Sequence, residues 1–330
     1  MMPLPADLLT TVLTSPPAEA WGRIADHLWA EFQAPISGAA NAEVVRRDRS
    51  LTELDNVLSG TAWDVWDTFE QVVPRASQAL VGFWGRVSGG KGVLILDGLS
   101  LREAPWLLLG AQERGYTIHQ SSALGSELPA ETTAFANALG FSQRSALENN
   151  GASSTHKLPG AATESCDLPF ADCVNRVGSQ PGFVFWHHWP DEQMHDLSGP
   201  GDGLRKLAKE TQTRLMSDEF WSFVERLTTG RRLVITGDHG YAATGLFPDL
   251  DDKDQANHMK DVFKGQRFAN GSVTDAPWMP PIERVLTTAH GTNRYVLGRR
   301  KWKSQSGYPT LQHGGLSLLE VFVPFLELSR

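Results

Sequence analysis

Apolar residues fall into two textures along the chain. From the N-terminus to about residue 80 they recur at spacings of three and four. Trp21, Ile24, Ala25, Leu28, Trp29 and Phe32 share one face of a helix over Ala18 to Phe32. Leu54, Leu58, Trp63, Trp66 and Phe69 repeat the pattern. Large aromatics at helical spacing predict a buried face rather than a ligand box. Past Gly89-Gly90-Lys91-Gly92 the texture changes to short, continuous apolar runs bounded by glycines.

Those runs read as strands buried on both faces, as in a parallel sheet. Val93 to Leu96 is the first, followed by a helix from Leu101 to Arg114, a stop at Gly115 and a strand at Tyr116 to His119. Strand, helix, strand makes a βαβ unit. Phe183 to Trp186 and Arg231 to Thr236 are further strands, with one long amphipathic helix predicted between them over Leu204 to Leu227. Leu250 to Asp261 reads as an exposed loop or helix, Gly271 to Pro281 as irregular, and Tyr295 to Trp302 as a late strand. Leu316 to Leu328 is expected to pack against the sheet. The expected fold class is α/β, a mainly parallel sheet flanked by helices. The expected division is a helical N-terminal region over 1–88 and a catalytic α/β domain over 89–330.

Composition narrows the picture. The 330 residues are 41% hydrophobic and 21% charged, which excludes intrinsic disorder. Lys and Arg number 30 against 38 Asp and Glu, a net charge of -8. That sign excludes coating of nucleic acid through bulk charge, though not an enzyme that meets phosphate through metal ions. Cys166 and Cys173 lack a CxxC partner and are expected to be free thiols in a reducing compartment. The start has no signal-peptide pattern and no stretch is apolar enough for a membrane span, so a cytoplasmic location is expected.

Each predicted strand ends in polar residues that include an aspartate. Asp97 follows the first, Asp191 the second and Asp238-His239 the third. Asp191 and His195, four apart, share one face of a helical turn and can chelate one ion. His313 precedes Gly314-Gly315, where missing side chains leave room for a ligand. In open α/β sheets ligands bind beyond the carboxyl ends of the strands. Three Asp and three His suit two divalent ions.

The order Asp97, Thr132, Asp191-x3-His195, Asp238-His239, His313-Gly314-Gly315 resembles the alkaline phosphatase superfamily, and within it the PglZ domain of bacterial phage-defence systems. The stretches that carry the resemblance are VLILDGLSLRE, LPAETTAFANAL, WPDEQMHD, LVITGDHGY and HGGLSLLEVFVP, within residues 90–328. The resemblance implies an alkaline-phosphatase-like fold and a two-metal phosphoesterase with Thr132 as nucleophile. Asp97, Thr132, Asp238 and His239 would hold one ion and Asp191, His195 and His313 the other. Zinc is the implied metal, with manganese or magnesium as alternatives. A phosphate ester is the implied substrate, with other defence-system proteins as partners and no membrane.

Alternatives follow from the same residues. Ser100, Thr133 and Ser153-Ser154-Thr155 compete with Thr132. Thr132 is preferred over Ser100, which would compete with Asp97 for the same ion from the same loop. His290-Gly291 rivals His313, and His187 and His188 are expected to be structural. Arg102, close to Asp97, is a possible phosphate contact. Arg299-Arg300-Lys301-Trp302-Lys303 interleaves base and aromatic as nucleic-acid grooves do, though a solvated strand face is the preferred explanation. That run tilts the expected substrate toward a phosphodiester, a nucleic acid or nucleotide. The rival functions are a non-catalytic scaffold of a defence complex and a phosphomonoesterase. A sulfatase lacks its C/S-x-P-x-R motif here, and a phosphomutase lacks space for its inserted domain.

Overall fold

In a computed structural model of the chain, the described residues are 4–152, 156–271, 278–303 and 307–330. Nine strands form among them: β1 (Lys91–Leu96), β2 (Thr117–Gly125), β3 (Ala162–Cys166), β4 (Gly182–His187), β5 (Arg232–Gly237), β6 (Phe268–Asn270), β7 (Glu283–Thr288), β8 (Gly291–Val296) and β9 (Phe322–Ser329). Six make the central sheet in the order β2-β9-β5-β1-β4-β3, and β6-β8-β7 make a small antiparallel sheet. All central strands run one way except β9, which is antiparallel to both neighbours. The expected α/β class, with a mainly parallel sheet and a helical N-terminal region, is the one observed.

The unbroken apolar run of β1 has a simple cause. Val93 and Ile95 pack with Val184, Trp186, Val234 and Phe325 on one face of the sheet. Leu94 and Leu96 pack with Phe185 and Ile235 on the other. Both faces are covered, so both sets of alternating positions must be apolar. The N-terminal helices bury their aromatic stripe as expected. Trp21, from the helix Pro17–Gln33, meets Trp66 and Phe69 edge-on at 5.0 and 5.1 Å between ring centroids. Phe322 of β9 joins them at 6.1 Å.

Several expectations change. The long helix over Leu204 to Leu227 is two, Gly203–Leu215 and Asp218–Thr228. Ser217 divides them because its hydroxyl accepts from the Phe220 amide at 3.2 Å, an N-cap. The late strand ends at Val296 rather than Trp302, since Gly298 turns the chain at φ +68°. Leu250 to Asp261 takes the helical option: it overlaps the helix Lys253–Phe263, which is capped by Asp252 and buries Met259 and Phe263. The closing segment enters the sheet as β9 instead of packing on it. Of the stretch read as irregular, 272–277 lie outside the described residues, and the remainder forms neither helix nor strand. Cys166 and Cys173 are free, with sulfurs 3.7 Å apart. No helix among the described residues is long and apolar enough to cross a membrane.

The basic run is neither a solvated face nor a groove. Arg299 is buried between Asp48 and Asp55, with Nε 2.6 Å from Asp55 Oδ2. Arg300 donates to the Leu297 and Ser59 carbonyls, Lys301 pairs with Asp249, and Trp302 is fully buried. Arg102 shares Asp48 from the other side, its Nε 2.8 Å from Oδ2, and donates to the Tyr241 carbonyl at 2.7 Å. It is therefore a structural residue and not a phosphate contact. Removing one member of such a network strands a buried charge, which costs about 3–5 kcal/mol. Asp48→Ala is expected to lower stability by about that amount in urea unfolding. A change below about 1 kcal/mol would contradict this account.

Candidate metal centre

The three aspartates sit beyond β5, β1 and β4, which are adjacent at the middle of the sheet. The backbone ties their loops together: the Asp97 amide donates to the His187 carbonyl, and the Asp191 amide to the Asp97 carbonyl, both at 2.9 Å. Gly98 N donates to Asp238 Oδ1 at 2.9 Å. Gly98 also has φ +72°, and a Cβ there would lie 3.2 Å from Asp191 Cα, so only glycine permits this approach.

Two overlapping sets of ligand atoms result. Asp97, Asp238 and His239 bring one atom each within 4.8 Å of one another, and so do Asp191, His239 and His313. His239 and His313 stack at 4.0 Å between centroids. His195 stands at the half-exposed rim, its Nε2 3.4 Å from Asp191 Oδ2. Thr132 opens the helix Thr132–Ala138, and its hydroxyl donates to Asp97 Oδ1 at 3.2 Å. All seven residues expected at the centre are thus gathered there. His239 stands between the two sets rather than in one.

The rivals are accounted for elsewhere. The buried Ser100 hydroxyl accepts from the Arg102 amide and guanidinium. Thr133 faces outward. His290 sits 3.4 Å from Glu127. His187 contacts the Leu168 carbonyl with Nε2 and the Trp189 amide with Nδ1. His188 contacts Ser165 and Glu192, which also accounts for the exposed grouping of Asp167, His188 and Glu192. Ser153 to Thr155 lie outside the described residues.

One residue escaped the sequence reading. Arg144, at the start of the 3-10 helix Arg144–Asn150, reaches in and pairs with the Asp97 carboxylate. It lies in a polar stretch with no motif around it, and only the fold brings it to the strand ends.

The donor set fits divalent ions. Asp191 Oδ1, Asp238 Oδ2 and His239 Nε2 are buried without a hydrogen-bond partner among the described residues. Buried polar atoms are rarely left so. Asp238 belongs to the first set, Asp191 to the second and His239 to both, with its Nε2 3.4 Å from Asp97 Oδ1 and 3.5 Å from Asp238 Oδ2, a donor set that suits a cation in each. The Nδ1 atoms of His239 and His313 are engaged by the Gly240 and Ala130 carbonyls, each at 3.0 Å. That leaves both Nε2 atoms turned inward, the arrangement of metal-binding histidines.

Without a cation the charges rearrange. Burial, then the neighbouring Asp97, push the Asp238 carboxyl up to about 7. Burial opposes a proton on His239, but Asp238, Asp97 and Asp191 together hold its pKa up at about 10. Burial and the charge of His239 depress His313 to about 4. The hydrogen bond to Asp191 raises His195.

No protein-family model matches the chain, and no curated protein matches it. Among solved structures, murine ectonucleotide pyrophosphatase/phosphodiesterase 5 is similar in two forms. An inactive form in complex with AMP has a TM-score of 0.43 and 10% identity, covering 73% of this chain and 88% of that one. The second form has a TM-score of 0.42 and 11% identity, covering 72% and 87%.

Metal ligands must be deprotonated, so binding should expel protons from His239 and Asp238. Zinc titration near neutral pH, repeated in buffers of different ionisation heat, is expected to show release of about one proton or more per protein. The affinity should rise with pH through 7, where Asp238 loses its proton. Binding without proton release would contradict this centre.

Proposed function

We propose that the chain is a metal-dependent phosphoester hydrolase of the alkaline phosphatase superfamily, with a PglZ-like catalytic domain over 89–330. The observation that carries this reading is the pair of overlapping ligand sets at the strand ends, with the Thr132 hydroxyl on Asp97 of the first. Asp97, Asp238 and His239 would hold one divalent ion, with Thr132 at its edge, and Asp191, His195 and His313 the other. Zinc, or manganese or magnesium in its place, would lower the hydroxyl's pKa and neutralise charge on the phosphate.

The chain's own groups do the rest. Thr132 is the nucleophile, and Asp97 holds its hydroxyl proton at the start. Arg144, only partly exposed and already at Asp97, is placed to hold a phosphoryl oxygen. The strand ends keep these groups in place before the substrate arrives, which is where most of the rate gain of phosphoryl transfer comes from.

A phosphodiester or nucleotide substrate is the finer reading. Of the basic run that suggested it, Arg299 and Lys301 are ion-paired and Arg300 is held by carbonyls, which leaves Lys303 as the exposed cation and weakens the case for a polynucleotide. A defence-system setting, with partner proteins, rests on the sequence resemblance. A scaffold whose metal site is structural would satisfy the same ligand atoms, and turnover by the metal-loaded chain separates the two readings.

With zinc or manganese, p-nitrophenyl and bis-p-nitrophenyl phosphate should be tested together. Asp238→Ala and Thr132→Ala are each expected to lower kcat by about a thousandfold or more on whichever ester is turned over. Unchanged turnover in either variant would overturn the assignment. Arg144→Ala is expected to weaken inhibition by inorganic phosphate about tenfold or more, the worth of a charge-assisted hydrogen bond. Equal inhibition would remove Arg144 from the phosphate site.

A further inference from the structure

A cavity of about 750 Å³, within the range of small-molecule sites, adjoins the segment Pro129 to Ala134, whose Ala130 carbonyl meets His313 Nδ1; none of the seven centre residues lines it. Pro129, Glu131 and Thr133 line it, so it begins one residue to either side of Thr132. Its far walls come from two places: Arg75 and Ser77 of the N-terminal region, and Phe268 and Asn293 of the small sheet.

Its charges are mixed. Glu127, only 4% exposed, is held by Arg75 Nε and His290 Nε2, each at 3.4 Å, and by the Ser77 hydroxyl. That leaves Glu70 and Glu131 facing the single exposed Lys157. A second phosphate in this space would meet two carboxylates against one flexible ammonium, which disfavours it. The remaining polar groups are neutral: the Thr133 hydroxyl and the amides of Gln78, the buried Asn293 and the exposed Asn137 and Asn270, with the Phe268 ring beside them. Amides and an aromatic ring suit uncharged hydroxyls and planar heterocycles.

We propose that this cavity receives the esterified organic group of the substrate. It selects a compact, uncharged, hydrogen-bonding alcohol of nucleoside size over one that carries further phosphates. This rests on the phosphoesterase reading of the neighbouring centre. It also gives the N-terminal helices a part in specificity, as one wall of the site.

Calorimetry on the zinc-loaded full chain would compare inorganic phosphate, uridine monophosphate, uridine and a short thymidylate oligonucleotide. Uridine monophosphate is expected to bind about tenfold or more tighter than phosphate, and the oligonucleotide no tighter than the monophosphate. Ala138→Trp, which fills the cavity, should erase that surplus and leave phosphate binding unchanged. Asn137→Leu, at an exposed position that folding tolerates, should reduce the surplus several-fold. Equal binding of phosphate and uridine monophosphate, a surplus that survives Ala138→Trp, or a tighter oligonucleotide would overturn the proposal. Phosphate binding without the surplus would leave the phosphoesterase reading intact. Uridine binding without any phosphate binding would overturn that reading, and the substrate role of the cavity with it.

Discussion

Asp97 and Asp238 are fully buried carboxylates that share one fully buried imidazole, with Asp191 and His313 next to them. Like charges at this distance and depth repel strongly unless a cation or a proton intervenes. The rest of the site is arranged around that constraint. The three acidic residues leave adjacent strands, whose paired backbones cannot relax apart to relieve the repulsion. Gly98 lets the loops after β1 and β4 close to contact distance. Arg144 brings the one guanidinium seen at Asp97 among the described residues. A fold that holds such groups together at a cost in stability follows the usual logic of functional sites, where local rules are broken for chemistry.

How far the centre was legible in the sequence follows from where each group sits. Asp97, Asp191, Asp238 and His239 directly follow or closely trail apolar strands, so the period of the pattern locates them. His313 is marked by its double glycine, where His290 has one, and by the resemblance. Arg144 opens a short 3-10 helix and Glu131 precedes a helix start, where nothing periodic marks them, and long-range folding alone sets their neighbours. The same limit explains the misplaced elements. Ser217 interrupts a helical pattern that hydrophobic spacing carries straight through, because a cap is a hydrogen-bonding event and not a hydrophobic one. β3 was missed since ATESC has too few apolar residues to announce a strand, although it is largely buried at the sheet's edge.

Charge was the least legible quantity. A run with four basic residues out of five looked like a surface for nucleic acid, yet Arg299 is spent on Asp48 and Asp55 beneath the surface. Counting charges along a sequence cannot tell a cation that faces solvent from one that balances a buried acid. The distinction changes the expected substrate. With Arg299 and Lys301 already paired, the guanidinium at the strand-end acids is that of Arg144, a single group and not a track. On the proposed reading, such a point-like site near a cavity with more carboxylates than cations suits one small ester. A polyanion would need the track that the fold has buried.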